Sequence, residues 1–136
     1  MAEPVDALVR TPGPAGLMAA EELARAGRSV VGAEAKPSAG RKFLMAGKSG
    51  LNLTKDEPAE QFAAAYGAAA AWLAPMLAEM GPAEVVRWAE GLGQPVFTGS
   101  SGRVFPVAMK ASPLLRAWLA RVPAELRLGW RWTGRA

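Results

Sequence analysis

The chain of 136 residues contains no cysteine and no histidine. Without cysteine there is no disulfide and no thiolate chemistry, and nothing argues for secretion. Without histidine the commonest general base is missing, along with Ser–His triads and most zinc sites. The acidic residues show no spacing that pairs carboxylates or builds a metal site, so no metal is expected. No apolar run approaches the ~18–20 residues that cross a bilayer. The first residues show no charged segment leading into an apolar one. No membrane span is therefore expected, and the expected location is cytoplasmic. Blocks of about five or six like charges are also missing, which removes the usual mark of a polyanion-binding tail.

What is present describes a folded chain. Apolar residues make up 51% and charged residues 21%, the balance of a globular domain rather than a disordered one. Alanine supplies much of the apolar share and buries little area, so a thin core is expected. The net charge of +4 comes from scattered arginines. Trp72, Trp88, Trp118, Trp130 and Trp132 do not interleave with basic residues as a single-strand binder requires. The exception is 127–135, where arginine and tryptophan alternate, read as a short amphipathic strand. Nucleic acid is not the expected partner.

Val5–Val9 is a weak strand, interrupted by Asp6, and a turn follows at Arg10–Pro14. Ala15–Ala26 reads as a helix with Leu17, Ala20, Leu23 and Ala24 on one face and Glu21, Glu22 and Arg25 on the other. Gly27 suits its C-terminal cap. Ser29–Ala33 is a second strand ending at Glu34, which completes a βαβ unit. Residues 36–54, rich in Gly, Lys and Ser, read as a long ordered loop, a length that tends to be functional. Helices are expected at 58–66, 68–80 and 82–91. Two short strands, 95–98 and 103–106, flank a Gly99–Gly102 turn as a hairpin. Ser112-Pro113 reads as N-cap and first position of a helix to Arg121. A last strand is expected over 125–133.

Thr11-Pro12-Gly13-Pro14-Ala15-Gly16 has the form of a dinucleotide-binding turn, with Thr where the first glycine belongs. In such a turn the second glycine lets the backbone approach a pyrophosphate and the third lets the helix pack on the strand. Gly13 and Gly16 fill those roles, and the helix N-terminus would aim N–H groups at phosphate. Thr11 does not readily take the positive φ of the first role. Glu34, at the end of the second strand, stands where an acid binds ribose hydroxyls. Gly47-Lys48-Ser49 resembles the end of a P-loop, but six residues separate Gly40 from Gly47 where that motif needs four.

Three segments together carry a resemblance. They are Gly13–Glu21 (GPAGLMAAE), Gly40–Thr54 (GRKFLMAGKSGLNLT) and Gly99–Pro106 (GSSGRVFP). In order and spacing the chain resembles the BaiN-like bacterial flavoproteins, NAD(P)/FAD-dependent oxidoreductases, some of them aminoacetone oxidases. The resemblance implies an FAD-binding, α/β fold. It would hold an N-terminal Rossmann-like βαβ unit, then helices and a small β-hairpin, truncated relative to the family. One domain over 1–136 is expected, with 1–80 dinucleotide-binding-like and 81–136 the start of an inserted substrate domain. Later strands of the sheet would then be missing, and a homo-oligomer over the exposed edge is one expected remedy. By position, Gly13 and Gly16 would meet the FAD pyrophosphate and Glu34 the adenosine ribose. Arg41, Lys42, Gly47 and Asn52 would line the cofactor. The substrate is a small molecule that the residues do not specify.

Two other readings stay open. A small hydrolase could use Ser49 with Lys48 or Lys42, or Ser101 with a lysine. A non-catalytic binding module could present the arginines of 127–135.

Overall fold

Among the described residues, twelve elements of regular structure, one of them a 3-10 turn, follow one another before a thirteenth, the last strand, returns to the first sheet. The computed structural model describes residues 3–134. The fold is α/β, and the chain divides into two units, Met1–Met45 with Leu115–Ala136, and Ala46–Leu114.

The first unit is built on a parallel sheet. Its strands are β1 (Ala7–Arg10), β2 (Val30–Glu34) and the last strand, Glu125–Leu128, in the order first, second, last. β2 lies in the centre and all five of its residues are buried. Ala7 pairs with Val30 on one side, and Val31 with Glu125 on the other. Half-buried Ala7 and Val9 alternate with exposed Leu8 and Arg10 along β1, the pattern of an edge strand with one covered face. α1 (Pro14–Arg25) crosses from β1 to β2 and packs on both. It opens with Pro14, whose missing N–H costs nothing at the first position, and the chain leaves it through Gly27 at φ +81°.

Asp6 secures the entrance to β1. Its backbone N–H donates to Ser29 Oγ at 2.9 Å, and its carboxylate accepts from Ser29 N–H at 2.8 Å and Ser29 Oγ at 2.9 Å. The residue that reads as an interruption of the strand is thus the clip joining the starts of β1 and β2.

The helix that ends in this unit, Ala111–Arg121, supplies Leu115, Trp118 and Val122 beside it to the core. Phe43 meets Trp118 edge-on, ring centroids 6.0 Å apart. Glu21 is not on a solvent face as helical periodicity suggested. It is 3% exposed. Its carboxylate accepts from Trp118 Nε1 at 3.0 Å and from Arg121 Nε at 2.6 Å and Nη2 at 3.2 Å. The partners lie about a hundred residues away, beyond the reach of any local pattern.

The second unit holds an antiparallel sheet, β3 (Thr54–Lys55), β4 (Val96–Thr98) and β5 (Arg103–Pro106), with β5 in the middle. β4 and β5 form the expected hairpin, and Phe97 stacks on Phe105 across it. α3 (Ala59–Ala64), a 3-10 turn, α4 (Ala70–Glu79) and α5 (Pro82–Gly91) form its helices. α5 begins at Gly81-Pro82, and Glu84 reaches back to accept from Gly81 N–H at 3.1 Å.

Further features differ from the sequence reading. Within 36–54 the chain forms α2 (Arg41–Ala46), held by buried Phe43, rather than an unbroken loop. The helix expected to open at Ser112-Pro113 includes Ala111, so Ser112 is inside it rather than its cap. This helix is α6 and the last strand, shorter than expected, is β6. β6 joins the βαβ sheet, so the unit boundaries at 45/46 and 114/115 do not coincide with a division after residue 80.

Replacing Glu21 with alanine would remove the buried acceptor that Trp118 Nε1 and the Arg121 guanidinium share. Urea unfolding should show a loss of about 2–3 kcal/mol, with Glu21→Gln losing roughly half as much. A loss under about 0.5 kcal/mol would mean that water replaces the carboxylate freely.

The Asp6 carboxyl is held below its ordinary value of 3.8, first by the Ser29 backbone N–H, then by its hydroxyl, with Arg28 adding attraction. A carboxylate depressed in the folded state adds stability above its unfolded pKa and loses it as pH falls through the folded one. Urea midpoints measured from roughly pH 5 to pH 2 should therefore fall less steeply in Asp6→Asn than in the parent below about pH 3.8.

Candidate dinucleotide site

Both β1 and β2 point the same way, so their C-terminal ends share one edge of the sheet. Thr11 follows β1 there, and Glu34 ends β2. Thr11 N–H donates to Ala33 O at 2.9 Å, which extends the ladder by one step into the turn. Thr11 then takes φ +52°, the left-handed conformation that a glycine would adopt without strain. Threonine thus does what its sequence position made doubtful, and the turn keeps its course.

The turn is pinned from two further sides. Gly13 N–H donates to Thr11 O at 2.7 Å, and Gly40 N–H donates to Pro12 O at 3.1 Å. Gly40 is itself required, at φ +72° with the Leu115 side chain 2.6 Å from where a Cβ would stand. The start of the Gly40–Thr54 segment is in this way fastened to the turn after β1.

Gly13 and Gly16 do different things. A Cβ on Gly16 would come within 3.0 Å of Val9 Cγ1 and 3.4 Å of Thr11 O, so glycine lets α1 close on β1. A Cβ on Gly13 would meet nothing nearer than Thr11 O, at 4.0 Å, and φ there is −81°. The fold itself does not need a glycine at 13. No side chain caps α1, and Leu17 is the first residue whose N–H reaches back, to Gly13 O at 2.8 Å. The Ala15 and Gly16 N–H groups therefore lack intrahelical acceptors and face the turn with the positive end of the helix dipole.

Glu34 is 5% exposed, and its Oε1 accepts from Lys36 N–H at 2.9 Å. Oε2 has no hydrogen bond among the described residues. Trp130 N–H donates to Glu34 O at 3.0 Å, so the segment after β6 closes on the same corner. Arg41 and Lys42 stand exposed at the start of α2, and Arg41 Nη1 donates to Ser38 Oγ at 3.2 Å.

Gly13, Gly16, Glu34, Arg41 and Lys42 all belong to the first unit. Gly47 and Asn52 belong to the second and have packing roles there. A Cβ on Gly47 would fall 2.5 Å from Ala111 Cβ. Asn52 Nδ2 donates to Thr54 O at 2.8 Å and Val104 O at 3.2 Å, latching β3 to β5. Its donors are used, and only Oδ1 is left to accept. Sequence reasoning missed Thr11 as a left-handed residue and Gly40 as the fastening; the second carried a signal, since it opens the Gly-rich segment.

The serines do not assemble a nucleophile. Ser49 and Ser101 are exposed in turns, and neither hydroxyl is hydrogen-bonded to a lysine among the described residues. Arg127 is ion-paired with Glu3 and Glu125, and its guanidinium lies 4.9 Å from the Trp130 ring centre. It is not a free phosphate contact. Among the described residues there is no cluster of three or more acidic side chains placed to hold a metal, and no helix long and apolar enough to cross a membrane.

Residues 5–128 match the family model described as HI0933-like protein Rossmann domain. The chain belongs to that family. No curated protein matches it. Among solved structures, the crystal structure of THI4 from Thermovibrio ammonificans is similar to it at 16% identity with a TM-score of 0.50. The likeness covers 91% of this chain and 38% of that one, and shows the fold alone. The chain thus spans well under half the length of that protein.

Since Thr11 holds φ +52°, Thr11→Gly should raise stability by about 1 kcal/mol, the left-handed strain outweighing the extra freedom of glycine in the unfolded chain. A thermal melt at equal pH reads this directly. An unchanged or lower midpoint would show that threonine sits there without strain.

Proposed function

We propose that this chain is the dinucleotide-binding part of an FAD-dependent oxidoreductase of the BaiN-like kind. The observation that carries the reading is Gly13. Its side-chain space is open, its conformation is ordinary, and it adjoins two unpaired N–H groups at the start of α1. A glycine that the fold does not require is explained by a ligand whose backbone contact it permits, and a pyrophosphate fits both the space and the donors.

The residues present fit the group. The N–H groups of Ala15 and Gly16 would hold the diphosphate, and Gly13 would let it approach. Glu34 Oε2 would accept from the ribose hydroxyls, while Lys36 N–H keeps the carboxylate turned to the strand end. Arg41 and Lys42 offset the diphosphate's negative charge. Gly47 and Asn52 keep their proposed place along the cofactor, although packing alone accounts for both, so substitutions there test folding before binding. When bound, the flavin ring supplies the hydride and electron chemistry that a chain without histidine or cysteine lacks. The substrate is a small molecule oxidised or reduced at that ring. Its identity rests on parts of the site that these residues do not define.

Titration with FAD, followed by flavin fluorescence, tests the reading. Saturable quenching by the parent chain is expected. Gly13→Val should weaken binding by about tenfold or more without lowering the melting temperature, since the added side chain meets space the protein does not fill. Glu34→Ala should weaken it less. No saturable binding by the parent chain, or unchanged affinity in Gly13→Val, would overturn the proposal.

A further inference from the structure

α1 packs on the face of the parallel sheet that carries Val9, which Gly16 lets it approach. Strand alternation puts Leu8 and Arg10 of β1, Val31 and Ala33 of β2, and Glu125 and Arg127 of β6 on the opposite face. A parallel sheet is ordinarily covered on both faces. Here the second face carries a pocket of about 220 Å³, with Leu8, Val31 and Ala33 in its lining beside Trp130 and Trp132. That is below the roughly 300–1,000 Å³ of sites for drug-sized ligands, so the pocket suits a fragment-sized one. The dinucleotide reading makes no use of it.

The pocket is aromatic at its sides. Trp130 is 56% exposed and Trp132 40%. The Arg127 guanidinium lies 4.9 Å from the Trp130 ring centre and steadies that indole. Open indoles beside an apolar floor favour a flat ring, which gains from offset or edge-on stacking as well as from burial.

Arg127 shows what the rim receives. Its Nε and Nη2 donate to the two oxygens of Glu125, at 2.8 and 3.2 Å. Nη2 also donates to Glu3 Oε2 at 2.5 Å. Nη1 makes no hydrogen bond among the described residues. Glu125 sits two residues away on the same strand, whereas Glu3 reaches in from 124 residues away with a side chain 73% exposed. An ion pair with so exposed a partner contributes little. A carboxylate thus already stands at the rim, on a side chain that is readily displaced.

The remaining charges favour the same sign. Arg131 belongs to the lining, and Arg10 lies on this face of the sheet. Neither has an ion-pair partner among the described residues. A cation would face three arginines, and the two acids nearby are engaged with Arg127. A dianion would crowd Glu125, which keeps its own hold on that guanidinium.

We propose that this pocket binds a flat aromatic monocarboxylate. The ring lies on Leu8, Val31 and Ala33 beside the two indoles, and the carboxylate replaces that of Glu3 on Nη1 and Nη2 of Arg127, a fork that matches it. Glu3 is an internal competitor for the site. The site is independent of flavin binding.

Three probes test this: 2-naphthoate, its neutral counterpart 2-naphthamide, and the saturated decahydro-2-naphthoate. Each is titrated into the full chain at pH 7 and followed through backbone amide and indole NMR shifts. 2-Naphthoate should saturably shift the amides of Leu8, Val31, Ala33 and Arg127 and the indole N–H signals of Trp130 and Trp132. It should bind about fivefold tighter than the amide. The saturated acid should bind more weakly than 2-naphthoate. In Arg127→Gln, 2-naphthoate should fall to the affinity of 2-naphthamide. In Glu3→Gln, a change at an exposed position, 2-naphthoate should bind about two- to threefold tighter while 2-naphthamide is unaffected. A merely structural role for the pair would not give that gain. If Arg127→Gln loses its folded spectrum, Glu3→Gln decides alone. Equal affinity for 2-naphthoate and 2-naphthamide, a Glu3→Gln variant that binds 2-naphthoate no tighter, shifts that map outside the pocket, or no saturable shift would each overturn the proposal.

Discussion

Parallel pairing around β2 is the constraint from which the first unit follows. In a parallel sheet the strand ends of one sense share one edge, and each strand must be reached by a crossover. β2 pairs on both sides and is buried along its whole length. One side is occupied by β1, from which α1 departs. The other is filled by β6, which arrives only after the second unit has been completed. The arrangement places the turn after β1 and the acid at the end of β2 next to each other with no further device. Thr11 N–H on Ala33 O is the visible sign: the ladder runs one residue into the turn. The Asp6 clip does the same work at the opposite edge.

The orientation of α1 is fixed at its two ends by unlike means. Near its start, Gly16 removes the side chain that would hold it away from Val9. Further along, buried Glu21 fastens it to α6 through Trp118 and Arg121. Burying a carboxylate is costly unless its oxygens are taken, and here three donors take them. A helix set this firmly keeps its free N–H groups at one place relative to the strand ends. Preorganised donors of this kind bind an anion without first having to order themselves.

Local signals in the sequence were informative to the degree that the physics behind them is local. The βαβ unit, the glycine after α1, α5 from Pro82 to Gly91 and the hairpin around Gly99–Gly102 all depend on neighbouring residues, and all were legible. The pairing of β6 with β2 was not, because a four-residue strand carries no mark of a partner about ninety residues earlier. Glu21 read as a surface residue for the same reason. α2 was hidden by glycine, lysine and serine in its surroundings, while its anchor is the contact of Phe43 with Trp118. In the candidate site, Gly13, Gly16 and Glu34 came from spacing, whereas Arg41, Lys42, Gly47 and Asn52 came from a resemblance. The structure separates that second group: two are exposed cations, and two are explained by packing within their own unit.

Threonine at the first turn position is the departure that most weakens the dinucleotide pattern on paper. Its weight depends on energy. A left-handed non-glycine residue costs on the order of 1–3 kcal/mol, against a total stability of about 5–15 kcal/mol for a domain. That cost persists only where surrounding bonds over-determine the backbone. Here they do: Thr11 N–H is held by Ala33, Thr11 O by Gly13 N–H, and Pro12 O by Gly40 N–H. Three hydrogen bonds spread over three consecutive residues leave the turn no cheaper path. The substitution is therefore absorbed as strain rather than as a change of shape. In the proposed site a pyrophosphate at Gly13 would meet a turn held in the left-handed course that a glycine at 11 takes without strain.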